Sequence, residues 1–313
     1  MVEGVLAGDR RAVARAISLV EDGRPELERL SGGIYPATGR AFTIGLTGAP
    51  GVGKSTIAGE LVTRARADGL TVAVLAVDPT SPYTGGALLG DRVRMQEHAT
   101  DEGVFIRSMA TRGHLGGMAL AAPEAVRILD AAGYARVVVE TVGVGQAEVE
   151  VAGATDTAVV VMAPGFGDAV QMAKAGILEV ADVFVVNKAE QDGAGEVVRE
   201  LRQMLHIGAA REWEPPIVRT TGHGGAGIDE LWEAIEGHRS WADENGSAHT
   251  RRDRRLRREV ETLAAERFRE SIARVLEAGQ GALAEALAAR LVDPYRAAAM
   301  LVEEAGRAKN DPD

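Results

Sequence analysis

The chain of 313 residues has no cysteine. Disulfides, thiolate metal centres and cysteine nucleophiles are therefore excluded, and an oxidising compartment is neither required nor implied. Long hydrophobic runs are missing too. The longest, VAVLAV from Val72 and AVVVMA from Ala158, fall far short of the roughly 20 apolar residues that span a bilayer. The N-terminus lacks a basic stretch leading into an apolar one, so the expectation is a soluble, cytoplasmic protein with no membrane partner. Positive charge is in deficit, 35 Lys and Arg against 46 Asp and Glu, for a net charge of −11. That balance disfavours a broad nucleic-acid footprint or an anionic membrane surface, leaving at most a local basic patch. What is present is ordinary for a globular protein, with 46% hydrophobic residues and length enough for one full α/β domain plus smaller additions. No internal repeat or low-complexity segment interrupts it.

Residues 1–40 read as a helical lead-in, with Val13, Ile17 and Val20 at helical spacing before a Ser31-Gly32-Gly33 break, and it is expected to pack on the main domain. From Phe42 onwards short β-branched runs alternate with helical stretches: FTIGL, TVAVLAVD, VFIRS, ARVVVE, TAVVVMA, DVFVVN and PIVRT. Such alternation predicts an α/β fold over residues 41–239, a mostly parallel sheet flanked by helices. The polar segment from Ser240 to Thr250 carries no periodicity and reads as a linker. Beyond it, residues 251–313 form a C-terminal helical arm. Its apolar stripe of Val260, Leu263, Ala264, Phe268, Ile272, Val275 and Leu276 has i, i+3, i+4 spacing. A second helical run from Gly281 to about Glu304 has a break expected at Asp293-Pro294. Two or three helices make a thin core, so the arm is expected to dock on the main domain or on its copy in a homodimer.

The chemistry is concentrated in loops after the strands. Gly48-Ala-Pro-Gly51-Val52-Gly53-Lys54-Ser55-Thr56 fits GxxxxGK[ST], with a strand before it and a helical pattern after, which is the context of a P-loop NTPase. Glycines let backbone N–H groups turn inward around a β-phosphate, and the positive helix end adds to them. Lys54 bridges β and γ oxygens, and the Ser55 hydroxyl ligates Mg²⁺. Three acidic residues follow at or near strand ends, where ligands sit in such sheets: Asp78, Asp91 and Glu140. Glu140-Thr-Val-Gly143 resembles the DxxG element of GTP-binding proteins, the carboxylate serving Mg²⁺ or its waters and the Gly143 N–H serving the γ-phosphate. Asp78, before proline, also reads as a turn former, and Asp91 as a helix cap.

Asn187-Lys188-Ala189-Glu190 stands where GTP-binding proteins carry NKxD. There a carboxylate accepts from guanine N1–H and the 2-amino group, which adenine does not offer, and an unpaired buried group can give about 10⁴-fold rejection. Glu190 in place of aspartate moves the carboxylate by one bond, with GTP still favoured over ATP. Thr220-Thr221-Gly222 takes the place of the small-residue loop near the base, with Thr221 as its candidate contact.

With these pieces in order, the chain resembles the MeaB family, GTPases of the SIMIBI class that act as chaperones of adenosylcobalamin-dependent methylmalonyl-CoA mutase. The similar stretches are VDPTSPYTGGALLGDRVRM, ETVGVGQAEVEVA and APGFGDAVQMAKAGILEVADVFVVNKAE. The resemblance implies GTP/GDP and Mg²⁺ as ligands, and functional roles at that site for Asp78, Asp91 and Glu140. It also implies that Gly165 to about Lys174 is a nucleotide-responsive loop, a third switch, with Asp168, Gln171 and Lys174 signalling to the mutase. The C-terminal arm would be the dimerisation element.

Val144 occupies the position where Ras-like proteins carry a water-orienting glutamine, and Gln146 lies two residues further on. Slow intrinsic turnover is the expectation, raised when a partner orders the switches or brings Arg92, Arg94 or Arg112 into play. Other readings are less favoured. A nickel-insertion GTPase would need Cys/His clusters, whereas the six histidines are scattered. A nucleic-acid module centred on Arg251–Arg258 competes with a solvated helix in which Arg255 pairs with Glu259 and Arg257 with Glu261. A scaffold that binds GTP without turnover is a third alternative, and a P-loop NTPase serving another client, such as a different acyl-CoA mutase or a transport-linked system, a fourth.

Overall fold

The computed structural model describes residues 1–79, 98, 100–111, 117–141, 153–165, 177–207, 211–221, 224–278 and 282–308. All seven expected strands are present: β1 (Phe42–Thr47), β2 (Val72–Pro79), β3 (Val104–Thr111), β4 (Arg136–Thr141), β5 (Thr157–Met162), β6 (Val183–Val186) and β7 (Ile217–Arg219). They pair in the order β3-β2-β4-β1-β5-β6-β7, every pair parallel. A sheet buried on both faces needs apolar residues at every strand position, which is why these strands read as continuous runs. Alternate residues point to opposite faces. Val159, Val161, Val183 and Val185 join Phe42, Ile44 and Leu46 beneath two helices, α4 (Lys54–Ala67) and α8 (Ile228–Glu244). On the other face Val160, Met162, Phe184 and Val186 pack with α7 (Ala194–Ile207), while Ala73, Leu75, Val137 and Val139 pack with α5 (Gly117–Ala131). A short α6 (Ile177–Val180) precedes β6.

The lead-in packs on the main domain as expected, but it comprises three helices, α1 (Val2–Leu6), α2 (Arg10–Glu21) and α3 (Glu26–Ile34). Val5, Val13, Ile17, Val20, Leu30 and Ile34 share the cluster formed by α5 and the β2–β3–β4 face. The Ser31-Gly32-Gly33 stretch is no break: it lies inside α3. A Cβ on Gly33 would stand 2.7 Å from a Val2 methyl, so this glycine serves the close approach of α1. Where the lead-in joins β1, the Asp130 carboxylate accepts from the backbone N–H groups of Gly39 (2.5 Å), Arg40 (3.2 Å) and Ala41 (2.8 Å).

The polar stretch from Ser240 to Thr250 is helical too, correcting its reading as a linker. Helix α8 runs to Glu244, and α9 starts at Ser247 and continues to Ala278. Asn245 and Gly246 suffice for the break: Gly246 takes φ 75°, and Asn245 Oδ1 accepts from the Ser247 N–H at 2.8 Å. The first turns of α9 belong to the main unit, which ends at Arg255. Arg252 Nε and Arg255 Nη2 reach Asp156 at 3.1 and 2.5 Å, and Arg251 reaches Asp182 at 3.0 Å. Those aspartates stand immediately before β5 and β6. Asp156 also accepts from the backbone N–H and hydroxyl of Thr43, both at 3.0 Å. Burial pushes its carboxyl up, but the charges of Arg255 and Arg252 outweigh that and bring it to about 2. Asp182 is likewise buried yet held below the usual carboxylate range by His238, Arg251 and the Ala158 N–H. His238, fully buried, lies between Thr157 Oγ1 (2.7 Å) and Asp182 (3.2 Å) against the rings of Trp213 and Trp241. Arg255 thus reaches Asp156 and the Thr155 carbonyl, partners that helical spacing does not suggest.

The second unit, Leu256–Asp313, holds the rest of α9, α10 (Ala282–Ala288) and α11 (Pro294–Ala308). Asp293 caps α11 by accepting from the N–H groups of Tyr295 and Arg296, so the break expected at Asp293-Pro294 is present. Val260, Leu263, Phe268 and Leu276 of the predicted stripe are exposed in the single chain. Among the described residues no helix is long and apolar enough to cross a membrane.

Candidate functional site

Because every strand runs the same way, all strand C-termini open on one side of the sheet, and the chain leaves β1 there between β4 and β5. Gly48 follows β1 with φ 139°, and a Cβ on it would lie 2.1 Å from the Val161 carbonyl oxygen of β5. Gly51 and Gly53 also take positive φ, 81° and 100°. Only glycine makes such a turn without strain while passing so close to a neighbouring strand. The loop ends at Lys54, the first residue of α4. The Lys54 ammonium is buried and donates to the Gly48 and Ala49 carbonyls at 2.6 and 3.0 Å, so the loop curls around its own cation.

Ser55 and Glu140 meet beside it. The Ser55 hydroxyl donates to Glu140 Oε1 at 2.6 Å, with Glu140 4% exposed. The register pairs Glu140 with Leu46 of β1 and Ala76 of β2, which sets this carboxylate at the sheet's C-terminal rim next to the loop. Asp78 lies at the same rim in β2, opposite Ala110 of β3. The Ser55 hydroxyl and the Glu140 carboxylate, hard oxygen donors beside the glycine-rich loop, would suit Mg²⁺ and its waters. Among the described residues no group of three or more His, Cys, Asp or Glu gathers as an all-protein metal cage.

The loop after β6 is tied to the phosphate loop. Asn187 is 1% exposed, and its Nδ2 donates to the Val52 carbonyl at 2.7 Å. Lys188 adopts φ 55°, a left-handed backbone uncommon for a side chain of its size, and its Nζ donates to the Gly51 carbonyl at 2.9 Å. Two carbonyls of the turn are thus held by side chains of the loop after β6, and the Val52 N–H donates to the Ala49 carbonyl within the turn at 3.5 Å. Glu190 stands exposed on the surface. Thr56 is half-buried in the first turn of α4. Thr221 donates its N–H to the Ala226 carbonyl at 3.1 Å. Its neighbour Thr220 was not among the candidate contacts, yet it is the residue whose hydroxyl meets Asn187, at 3.0 Å. The signal was positional: Thr220 directly follows β7 as Asn187 directly follows β6. Asp91, Gly143, Asp168, Gln171 and Lys174 lie outside the described residues, as do Arg92, Arg94, Arg112 and Gln146.

The sequence model of the family described as Methylmalonyl Co-A mutase-associated GTPase MeaB matches residues 13–277. The chain belongs to the MeaB family. It is a P-loop GTPase, and relatives agree in name: a Pyrococcus horikoshii protein provisionally named a GTPase is 47% identical over 311 residues, covering 97% of each chain. The mouse protein named methylmalonic aciduria type A homolog, mitochondrial, is 35% identical over 257 residues, 74% of this chain and 60% of its own. A crystal structure titled LAO/AO transport system kinase superposes with a TM-score of 0.67 at 29% identity, covering 96% of this chain and 95% of the other. For a MeaB-family GTPase the arrangement at the rim is chemically coherent. The glycine-rich turn, the lysine, and the serine–carboxylate pair occupy one end of the sheet, and the NKxE loop stands next to them.

Proposed function

We propose that this GTPase is a chaperone of an adenosylcobalamin-dependent acyl-CoA mutase, methylmalonyl-CoA mutase in the first instance, and that GTP binding and hydrolysis time its action on the mutase. The observation that carries the reading is the family match over residues 13–277, whose description names the mutase. In this scheme Gly48, Gly51, Val52, Gly53 and Thr56 supply the phosphate cradle. Lys54 leaves the Gly48 and Ala49 carbonyls to bridge β and γ oxygens, exchanging two neutral acceptors for anionic ones. Ser55 and Glu140, with Asp78 and Asp91, hold Mg²⁺ or its waters, and Gly143 meets the γ-phosphate. When bound, Mg²⁺ neutralises charge on the β and γ oxygens. Asn187, Lys188, Glu190 and Thr221 take the base, and Asp168, Gln171 and Lys174 respond to the γ-phosphate and signal to the mutase.

The exposed face of Val260, Leu263, Phe268 and Leu276 serves a homodimer. Turnover is slow alone and partner-stimulated, and the protein acts in the cytoplasm. Phosphate release from GTP and from ATP, with and without added apo-methylmalonyl-CoA mutase, tests the reading. A GTP rate that rises with the mutase supports it. A rate indifferent to the mutase overturns the client assignment and returns the chain to the broader reading of a GTPase with another client. Equal use of ATP overturns the role of Glu190.

A further inference from the structure

Asn187 has an amide whose oxygen and nitrogen ends face different partners, and the partners decide which end is which. The Val52 carbonyl, 2.7 Å away, can only accept, so the NH₂ end must face it. The oxygen end then faces the Thr220 hydroxyl at 3.0 Å, and that hydroxyl must be the donor. Both side chains are about 1% exposed, so water does not substitute for either bond. Thr220 is itself fixed at both backbone ends: its N–H donates to the Val186 carbonyl at 3.0 Å, and its carbonyl accepts from the Ala189 N–H at 3.0 Å. Space on the far side is closed too, since a Cβ on Gly53 would stand 2.3 Å from Asn187 Nδ2.

We infer that Thr220 is a positioning residue for nucleotide binding: its hydroxyl holds the Asn187 amide in the one orientation that ties the base loop to the phosphate loop. The chain of bonds runs from the end of β7 through Thr220 and Asn187 to Val52. Its target is the backbone around the β-phosphate, which GDP and GTP share, so both nucleotides depend on it equally. The inference rests on the GTPase activity and is independent of the client.

The test compares Thr220→Val, which keeps the shape and removes the donor, with Thr220→Ser, which removes the methyl and keeps the donor. For full-length protein, KM and kcat for GTP hydrolysis and Kd for a ribose-labelled fluorescent GDP are measured. Thr220→Val leaves a buried acceptor unpaired and is expected to raise KM and the GDP Kd together by about tenfold. Its kcat stays within about twofold of wild type, and Thr220→Ser stays within about threefold of wild type throughout. Wild-type constants for Thr220→Val, or a Thr220→Ser variant as impaired as Thr220→Val, overturn the inference. If Thr220→Val does not fold, Thr220→Ser decides: a retained KM supports the hydroxyl, and a raised one shows that the methyl's packing is what counts.

Discussion

Replacing Asp156 by asparagine removes the charge on which the first turns of α9 are anchored while keeping the side chain's size. The carboxylate is 7% exposed and faces Arg252 and Arg255, themselves 37% and 23% exposed. Its folded value of about 2 lies below the ordinary 3.8, with burial opposing the shift and the two arginines prevailing. A lowered folded value means that the stabilisation is complete above pH 3.8 and disappears as pH falls through about 2. The difference is a little under two pH units, which at 1.36 kcal/mol per unit is about 2.4 kcal/mol. Urea unfolding followed by the fluorescence of Trp213 and Trp241 reads this directly for wild type and Asp156→Asn across pH 7 to 2. At pH 7 the variant should be less stable by about 3 kcal/mol, because Arg252 and Arg255 then face a neutral amide. That gap should narrow by about 2 kcal/mol between pH 5 and pH 2, where about half of the folded molecules carry the protonated aspartate, which resembles the amide. A gap that stays constant across this range would refute the assignment of the stabilisation to the ion pairs.

Gly48→Ala sets a methyl 2.1 Å from the Val161 carbonyl oxygen at a left-handed φ. The loop must lift off β5, and GTP turnover should fall by about 100-fold or more, read as kcat/KM. Ser55→Ala removes the hydroxyl now bonded to Glu140. The Mg²⁺ concentration for half-maximal turnover should rise by about tenfold, one lost ligand-quality bond's worth, in a titration of phosphate release. Asp130→Ala orphans three backbone donors at residues 39–41. Chemical unfolding should register a loss of about 2–3 kcal/mol, and kcat should be unchanged because the tie is remote from the nucleotide loops.

The strands and the phosphate loop were legible because each is encoded locally. Runs such as DVFVV and RVVVE place β-branched and aromatic residues side by side, as a strand buried on both faces requires, and GxxxxGK[ST] carries its geometry in its glycines. What escaped was encoded at a distance. Arg255 read as a partner for Glu259 one turn along the helix, yet it also reaches Asp156, 99 residues earlier, and Arg251 and Arg252, for which helical spacing suggested no partner, reach aspartates 69 and 96 residues earlier. A pair along a solvated helix is worth only a few tenths of a kcal/mol, a weak competitor for a buried carboxylate that spacing within the helix does not reveal. The polar stretch from Ser240 to Thr250, which holds the end of α8 and the start of α9, lacks an apolar stripe, and no periodicity announces it as helical. Gly33 looked like punctuation because glycine's usual meaning is a turn, whereas its use here is proximity to Val2. Thr220 and Thr221 are indistinguishable by type, and only the end of β7 shows which hydroxyl turns inward.

The two carboxylates before β5 and β6 lie at the strand starts, and the nucleotide loops at the strand ends, so natural variants at the two rims should produce different deficits in a cell. Loss of the Asp156 or Asp182 anchor leaves the turnover of each folded molecule intact but enlarges the unfolded fraction exposed to proteases. A destabilisation of even 1–2 kcal/mol can change abundance several-fold. Such a variant would present as a shortage of protein, correctable by a stabilising ligand or a lower growth temperature. A substitution in the glycine-rich turn would leave protein levels near normal and activity absent.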